Sequence, residues 1–123
     1  MAVVVGDDVE LRHWFEFDGA NWRDASRTLT LTFVDAAVPA FRLVLAEGES
    51  ERIALVVRER IEQSIVFQEH AELPSGRAAR GMVRRDGEVL FTQVMIDGEP
   101  EAADEARLAE LEASLRDVVG LDG

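Results

Sequence analysis

Hydrophobic and polar positions alternate with a period of two at the start of the chain. Val9, Leu11, Phe15 and Phe17 interleave with Glu10, Arg12 and Glu16, which predicts a strand over 9–17 with one buried face. On that parity His13 falls among the apolar residues and Trp14 among the polar ones. Asp18-Gly19-Ala20-Asn21 reads as a turn. Alternation resumes from Thr28 to Val34, with Leu29, Leu31 and Phe33 on one side and Thr28, Thr30 and Thr32 on the other. Phe41, Leu43 and Leu45 predict a third strand after Pro39. Ser50 then supplies an N-cap and Glu51 a first-turn charge that suits the helix dipole. The period lengthens here, and Ile53, Val56, Val57, Ile61 and Ile65 predict the buried stripe of an amphipathic helix.

A second set of the same elements follows. A strand is expected over 66–73, closed by Pro74-Ser75-Gly76, and two more flank Asp86-Gly87, a strong hairpin signal. A two-residue loop at Asp86-Gly87 pairs Arg84 with Val89, Met82 with Phe91 and Arg80 with Gln93. One face then carries Val83, Leu90, Val94 and Ile96. The other carries Met82, Val89, Phe91 and Met95, with Arg80, Arg84 and Gln93 among them. A hairpin apolar on both faces needs cover on both, by its own chain or by a partner, so an oligomer interface is expected on the second face. A last helix is expected from about Pro100 to Gly120, with Leu108, Leu111, Leu115, Val118 and Val119 as its stripe and Glu112 and Arg116 as an i,i+4 pair. The order is three strands, a helix, three strands, a helix. A shift of 50 residues superimposes Phe41–Glu49 on Phe91–Glu99, consistent with a pseudo-twofold repeat of two three-stranded units, each covered by a helix.

Composition narrows the classes. With 123 residues, 47% of them hydrophobic, the chain fits a single α+β domain over 1–123, a mainly antiparallel sheet of about six strands with two helices. There is no Cys, which excludes disulfides, thiolate metal sites and thiol nucleophiles. No apolar run approaches a membrane span and no basic region precedes the first valines, so no membrane association and a cytoplasmic location are expected. Thirteen basic residues against 25 acidic ones leave a net charge of -12, which disfavours binding to a phosphate backbone; no nucleic acid is expected as a partner. All 13 basic residues are Arg. A lysine-free, acidic composition fits a GC-rich or salt-adapted genome, an acidic surface for a basic partner, or a DNA mimic.

Candidate chemistry is sparse. Arg77, Arg80, Arg84 and Arg85 cluster in an otherwise acidic chain; Arg80 and Arg84 share a strand face, as an anion site, as part of a self-complementary interface, or in intrachain ion pairs with acidic helix residues. His13 is a candidate general base in a pocket, or a hydrogen-bonded core histidine. His70 and Glu72 would share a strand face, but two weak ligands do not make a metal site, and neither a metal nor a cofactor is expected. No nucleophile elbow or phosphate loop occurs. Trp14 and Trp22 are candidate recognition residues, since Trp beside Arg is typical of interface hot spots; alternatively Trp22 folds back over a sheet edge and Trp14 packs under the loop. The expected function is a non-catalytic, acidic protein-binding domain of immunity, inhibitor or adaptor type that forms a homodimer, with Arg80, Arg84, Phe91, Met82, Trp14 and Trp22 as its binding residues. The alternative is a small ligand-binding or enzymatic domain using His13 and Arg80 or Arg84 on an anionic substrate.

Overall fold

The computed structural model describes residues 2–5 and 8–120, with side chains from residue 12 onward except at 119. It is an α+β fold in the order expected, divided into two compact units, residues 1–64 and 65–123. A short hairpin of β1 (Ala2–Val5) and β2 (Asp8–Leu11) precedes the first unit's sheet. That sheet is an antiparallel meander of β3 (Phe17–Arg23), β4 (Thr28–Phe33) and β5 (Phe41–Val44), and α1 (Ser50–Ser64) packs on β3. The second unit repeats the plan with β6 (Ile65–Glu72), β7 (Ala78–Asp86), β8 (Val89–Ile96) and α2 (Glu105–Val119), which lies across all three strands. The expected strands therefore form two three-stranded sheets, each with its own helix and core. Gly48 and Gly98, at matching positions of the 50-residue shift, both adopt positive φ (112° and 95°), a backbone that glycine reaches without a Cβ penalty.

The first unit departs from the expected elements at its start. The expected strand over 9–17 is interrupted: β2 ends at Leu11, and Trp14–Glu16 form a 3-10 turn closed by the Glu16 carboxylate accepting from the His13 N–H at 2.6 Å. The side chains of Val9 and Leu11 lie outside the described ones. Asp18-Gly19 is no turn. The register shifts between Phe17 and Gly19, so this pair marks a bulge inside β3, and the Asp18 carboxylate accepts the Thr32 hydroxyl across the sheet. The chain reverses instead at Asp24–Arg27, where Arg27 takes φ 49°, an uncommon conformation for a residue with a Cβ. Its guanidinium fastens that turn, donating to the Leu45 carbonyl at 3.1 Å and pairing with Glu47 at 2.9 Å.

Aromatic packing dominates the first core. Phe17 and Phe33 lie 4.7 Å apart by ring centroids, and Phe41 meets Phe33 edge-on at 4.9 Å. Leu29, Leu31, Ala54 and Ile61 complete the buried cluster. Arg12 covers its rim, with its guanidinium 5.3 Å from the Phe33 ring centroid and 3.4 Å from Glu16. The expected α1 stripe is rotated. Ser50, Ala54, Ile61 and Ser64 are buried and Val57 is half-buried, whereas Ile53 and Val56 are exposed, and Ile65 begins a strand.

Close approach builds the second core. Leu111 and Leu115 of α2 press onto Ala79, Val83 and Gly81, where a Cβ on Gly81 would lie 2.6 Å from Leu115 Cδ1. The α2 helix starts later than expected, after a 3-10 turn over Ala102–Asp104, and ends at Gly120 in the left-handed conformation, as its sequence requires. Val118 is exposed and does not join the stripe, and Val119 lies outside the described side chains. Asp104 latches the start of this helix to the β6–β7 loop. Its buried carboxylate accepts the Ser75 N–H at 3.0 Å, the Ser75 hydroxyl at 2.7 Å and the Glu101 N–H at 2.9 Å. The Glu101 amide, then Ser75 and the charge of Arg77, hold its carboxyl below the ordinary carboxylate value, against the opposing effect of burial.

Candidate binding surfaces

The β7–β8 hairpin has the expected faces but a different register. Asp86 pairs with Val89, Arg84 with Phe91, Met82 with Gln93 and Arg80 with Met95, so the two loop residues are Gly87 and Glu88. Gly87 at φ 62° occupies the first loop position, the place where a II′ turn needs glycine. Moving the loop by one residue changes each pairing by two, and an even change keeps every side chain on its face. Met82, Arg84, Phe91, Gln93 and Met95 therefore do share one face, with Arg80 beside them.

Burial changes what that face can do. Arg84 and Met82 are both fully buried, so neither is a surface ligand. The Arg84 guanidinium donates to Gln93 Oε1 at 3.2 Å and lies 3.8 Å from the Met82 sulfur. Arg80 donates through Nε to Gln68 Oε1 at 2.9 Å, and Phe91 is half-buried. Arg84 is thus held inside the protein by Gln93 and Met82, while Arg80 stays half-buried at the surface beside Gln68. Phe91, Leu90, Thr92, Glu112 and Arg116 line a shallow depression of about 390 Å³ beside α2, where Glu112 and Arg116 form the expected i,i+4 pair at 3.1 Å.

The other expected residues lie in the first unit. Trp14 and Trp22 are half-buried and pack against the aromatic core, Trp22 on the same face of β3 as Phe17. His13 is exposed at the 3-10 turn and stacks on Phe15, with ring centroids 4.9 Å apart, so it is neither a core histidine nor a base enclosed in a pocket. His70 is exposed on β6 opposite Arg80, and among the described residues no group of three His, Asp or Glu is placed to hold a metal ion.

A further surface, which periodicity assigned to the core, lies on α1. The helix seats itself by small residues, Ser50, Ala54 and Ser64, with Val57 and Ile61, and turns larger ones outward: Ile53 is 49%, Leu55 55% and Val56 44% exposed. Small residues bring a helix close to the sheet, while branched apolar residues in water contribute nothing to the unit's own fold. Around Leu55 and Val56, the spacing of three and four residues places Arg52 and Glu59 on the same side, one turn before and one turn after. At the N-terminal end of the helix, the neighbouring Asp24 raises the Glu51 carboxyl above its ordinary value, first as an acceptor for its protonated form and then by its negative charge. Among the described residues, no helix is long and apolar enough to cross a membrane. Compared with protein-family models, curated proteins and solved structures, the chain matches none of them.

Proposed function

We propose that this chain is a non-catalytic protein-binding domain, cytoplasmic and homodimeric, and that α1 supplies the contact between copies. The observation that carries the reading is the reversed size order on α1, with serines and alanine inward and Ile53, Leu55 and Val56 outward. A second copy is the occupant favoured by charge. Two α1 helices crossing antiparallel about a twofold axis between residues 55 and 56 bring Leu55 against Val56 in the centre. The same operation sets Arg52 of each copy opposite Glu59 of the other, so one pairing occurs twice. Such a surface is apolar at its centre and charged at its rim. A single helix-to-helix contact lies below about 1,200 Å² of buried area, which corresponds to a weak complex with a dissociation constant in the micromolar range, about 8 kcal/mol.

Mass in solution tests this directly, measured by light scattering across a concentration series. The wild type is expected to shift from monomer to dimer, and Val56→Glu to remain a folded monomer. Arg52→Glu and Glu59→Arg should each weaken the dimer, and the double exchange should restore it, because the charges are then swapped and still opposite. A wild type monomeric at every concentration refutes the homodimer; a dimer indifferent to Val56→Glu refutes this surface.

A further inference from the structure

The face of the first sheet turned away from its core carries residues of a different kind. Asn21 and Arg23 on β3, Thr28 and Thr30 on β4, Arg42 on β5 and Ser26 in the connecting turn line a shallow trough of about 420 Å³. In a chain with 25 acidic residues out of 123, none of the six lining residues is acidic and two are arginine. Neither arginine has an acidic partner among the described residues. Glu47, the acidic residue across the turn, is taken by Arg27.

The register places the two guanidinium groups on either side of the hydroxyls. Arg23 lies opposite Thr28, and Thr30 lies opposite both Asn21 and Arg42. Two strand spacings of about 5 Å and an offset of two residues put the two arginine Cα atoms roughly 12 Å apart. Each long side chain can then reach inward over the strand between them. Guanidinium forks bind oxyanions in two-point fashion, and Thr30, Ser26 and Asn21 add neutral donors between the forks. The trough has the size of a small-molecule site and not of a protein interface.

We infer that this face is an anion site for a small ligand bearing two oxyanion groups, phosphate or carboxylate, one held by Arg23 and the other by Arg42. The chain's net charge works in favour of selectivity. The acidic surface around it disfavours an anion elsewhere, and the two arginines of the trough offer the paired positive charge that a dianion needs.

Amide chemical shifts of the whole chain, followed during titration with phosphate, pyrophosphate and succinate, test the assignment. Pyrophosphate or succinate, or both, should give saturable shifts centred on Asn21, Ser26, Thr28 and Thr30, tighter than phosphate, which has one oxyanion group. Comparing the two dianions identifies which oxyanion is preferred. Arg23→Gln and Arg42→Gln should each weaken binding at least about tenfold. Both side chains are exposed, so the fold is retained, and unchanged circular dichroism verifies it. Arg85, exposed and likewise without an acidic partner among the described residues, is the control, and Arg85→Gln should leave binding unchanged. Shifts that remain linear to about 10 mM ligand, no gain of a dianion over phosphate, or equal loss in Arg85→Gln would overturn the site.

Discussion

Replacing Gly81 by Ala tests the closest contact in the second core. A Cβ there would lie 2.6 Å from Leu115 Cδ1 and 3.2 Å from Leu111 Cδ1 and Cγ, where carbon atoms ordinarily rest about 3.5–4.0 Å apart. Leu111 and Leu115 are fully buried and cannot swing into solvent, so α2 or the leucine rotamers must give way by about 1 Å. Overpacking of this kind costs about 1–3 kcal/mol, and the lower entropy of an unfolded chain with Ala returns about 0.4–1 kcal/mol. The expected net loss is roughly 1–2 kcal/mol. In a Leu115→Ala background, itself costing about 2–5 kcal/mol, the 2.6 Å clash is gone and only the 3.2 Å approach to Leu111 remains, so the same methyl should cost clearly less there. Urea unfolding of the four proteins, followed by the amide signals of Val83 and Ala79, measures the cycle. Both tryptophans, Trp14 and Trp22, belong to the first unit, so their fluorescence reports that unit separately. Equal cost in both backgrounds, or no cost in either, would refute the close seating of α2 on β7.

Three further outcomes follow from the described geometry. Phe17→Ala, at the centre of the aromatic cluster, should cost the first unit about 3–5 kcal/mol, read as an earlier tryptophan fluorescence transition in urea. Asp104→Asn should destabilise the second unit at neutral pH. Because the Asp104 carboxyl is held below its ordinary 3.8, its contribution is complete above that value and lost as pH falls through the lower folded value, so the wild type should lose this advantage over the variant in acid. Glu51 has the opposite sign. Its carboxyl is raised above 4.5, so the Asp24 contact favours the fold below that value and turns unfavourable as pH rises through the higher folded value; Asp24→Asn should raise stability at pH 7, with the gain fading on acidification in a thermal melt series.

Most of the fold was legible in local pattern. Period-two alternation at Leu29, Leu31 and Phe33, the Ser50 start of α1, the Glu112–Arg116 pair and the Gly120 stop are local properties, and local interactions enforce each of them. The path of β3 was hidden. Asp18-Gly19 has turn chemistry but serves as a bulge, while the real reversal uses Arg27, a residue type that turn rules do not favour and that long-range bonds to Leu45 and Glu47 hold in place. That displacement concealed the trough, because Asn21 and Arg23 join the threonine face only when β3 extends through them.

Sequence by itself determined the α+β class, the parity of β4 and of the β7–β8 hairpin, and the net charge, because these depend on spacing and composition. Tertiary structure decided which side of each element is covered. Helix α1 carries apolar residues around much of its circumference, so periodicity pointed to Ile53 and Val56, whereas close packing selected the smaller Ser50, Ala54 and Ser64. Arg84, read either as an anion ligand or as a structural arginine, is buried with Gln93 and Met82, because a strand face has no label in the sequence that says whether it meets water. Pairing is likewise a property of the folded chain: Arg23 and Arg42 stand far apart in sequence, on different strands, and only the folded register places them on one face with no carboxylate lining the trough between them.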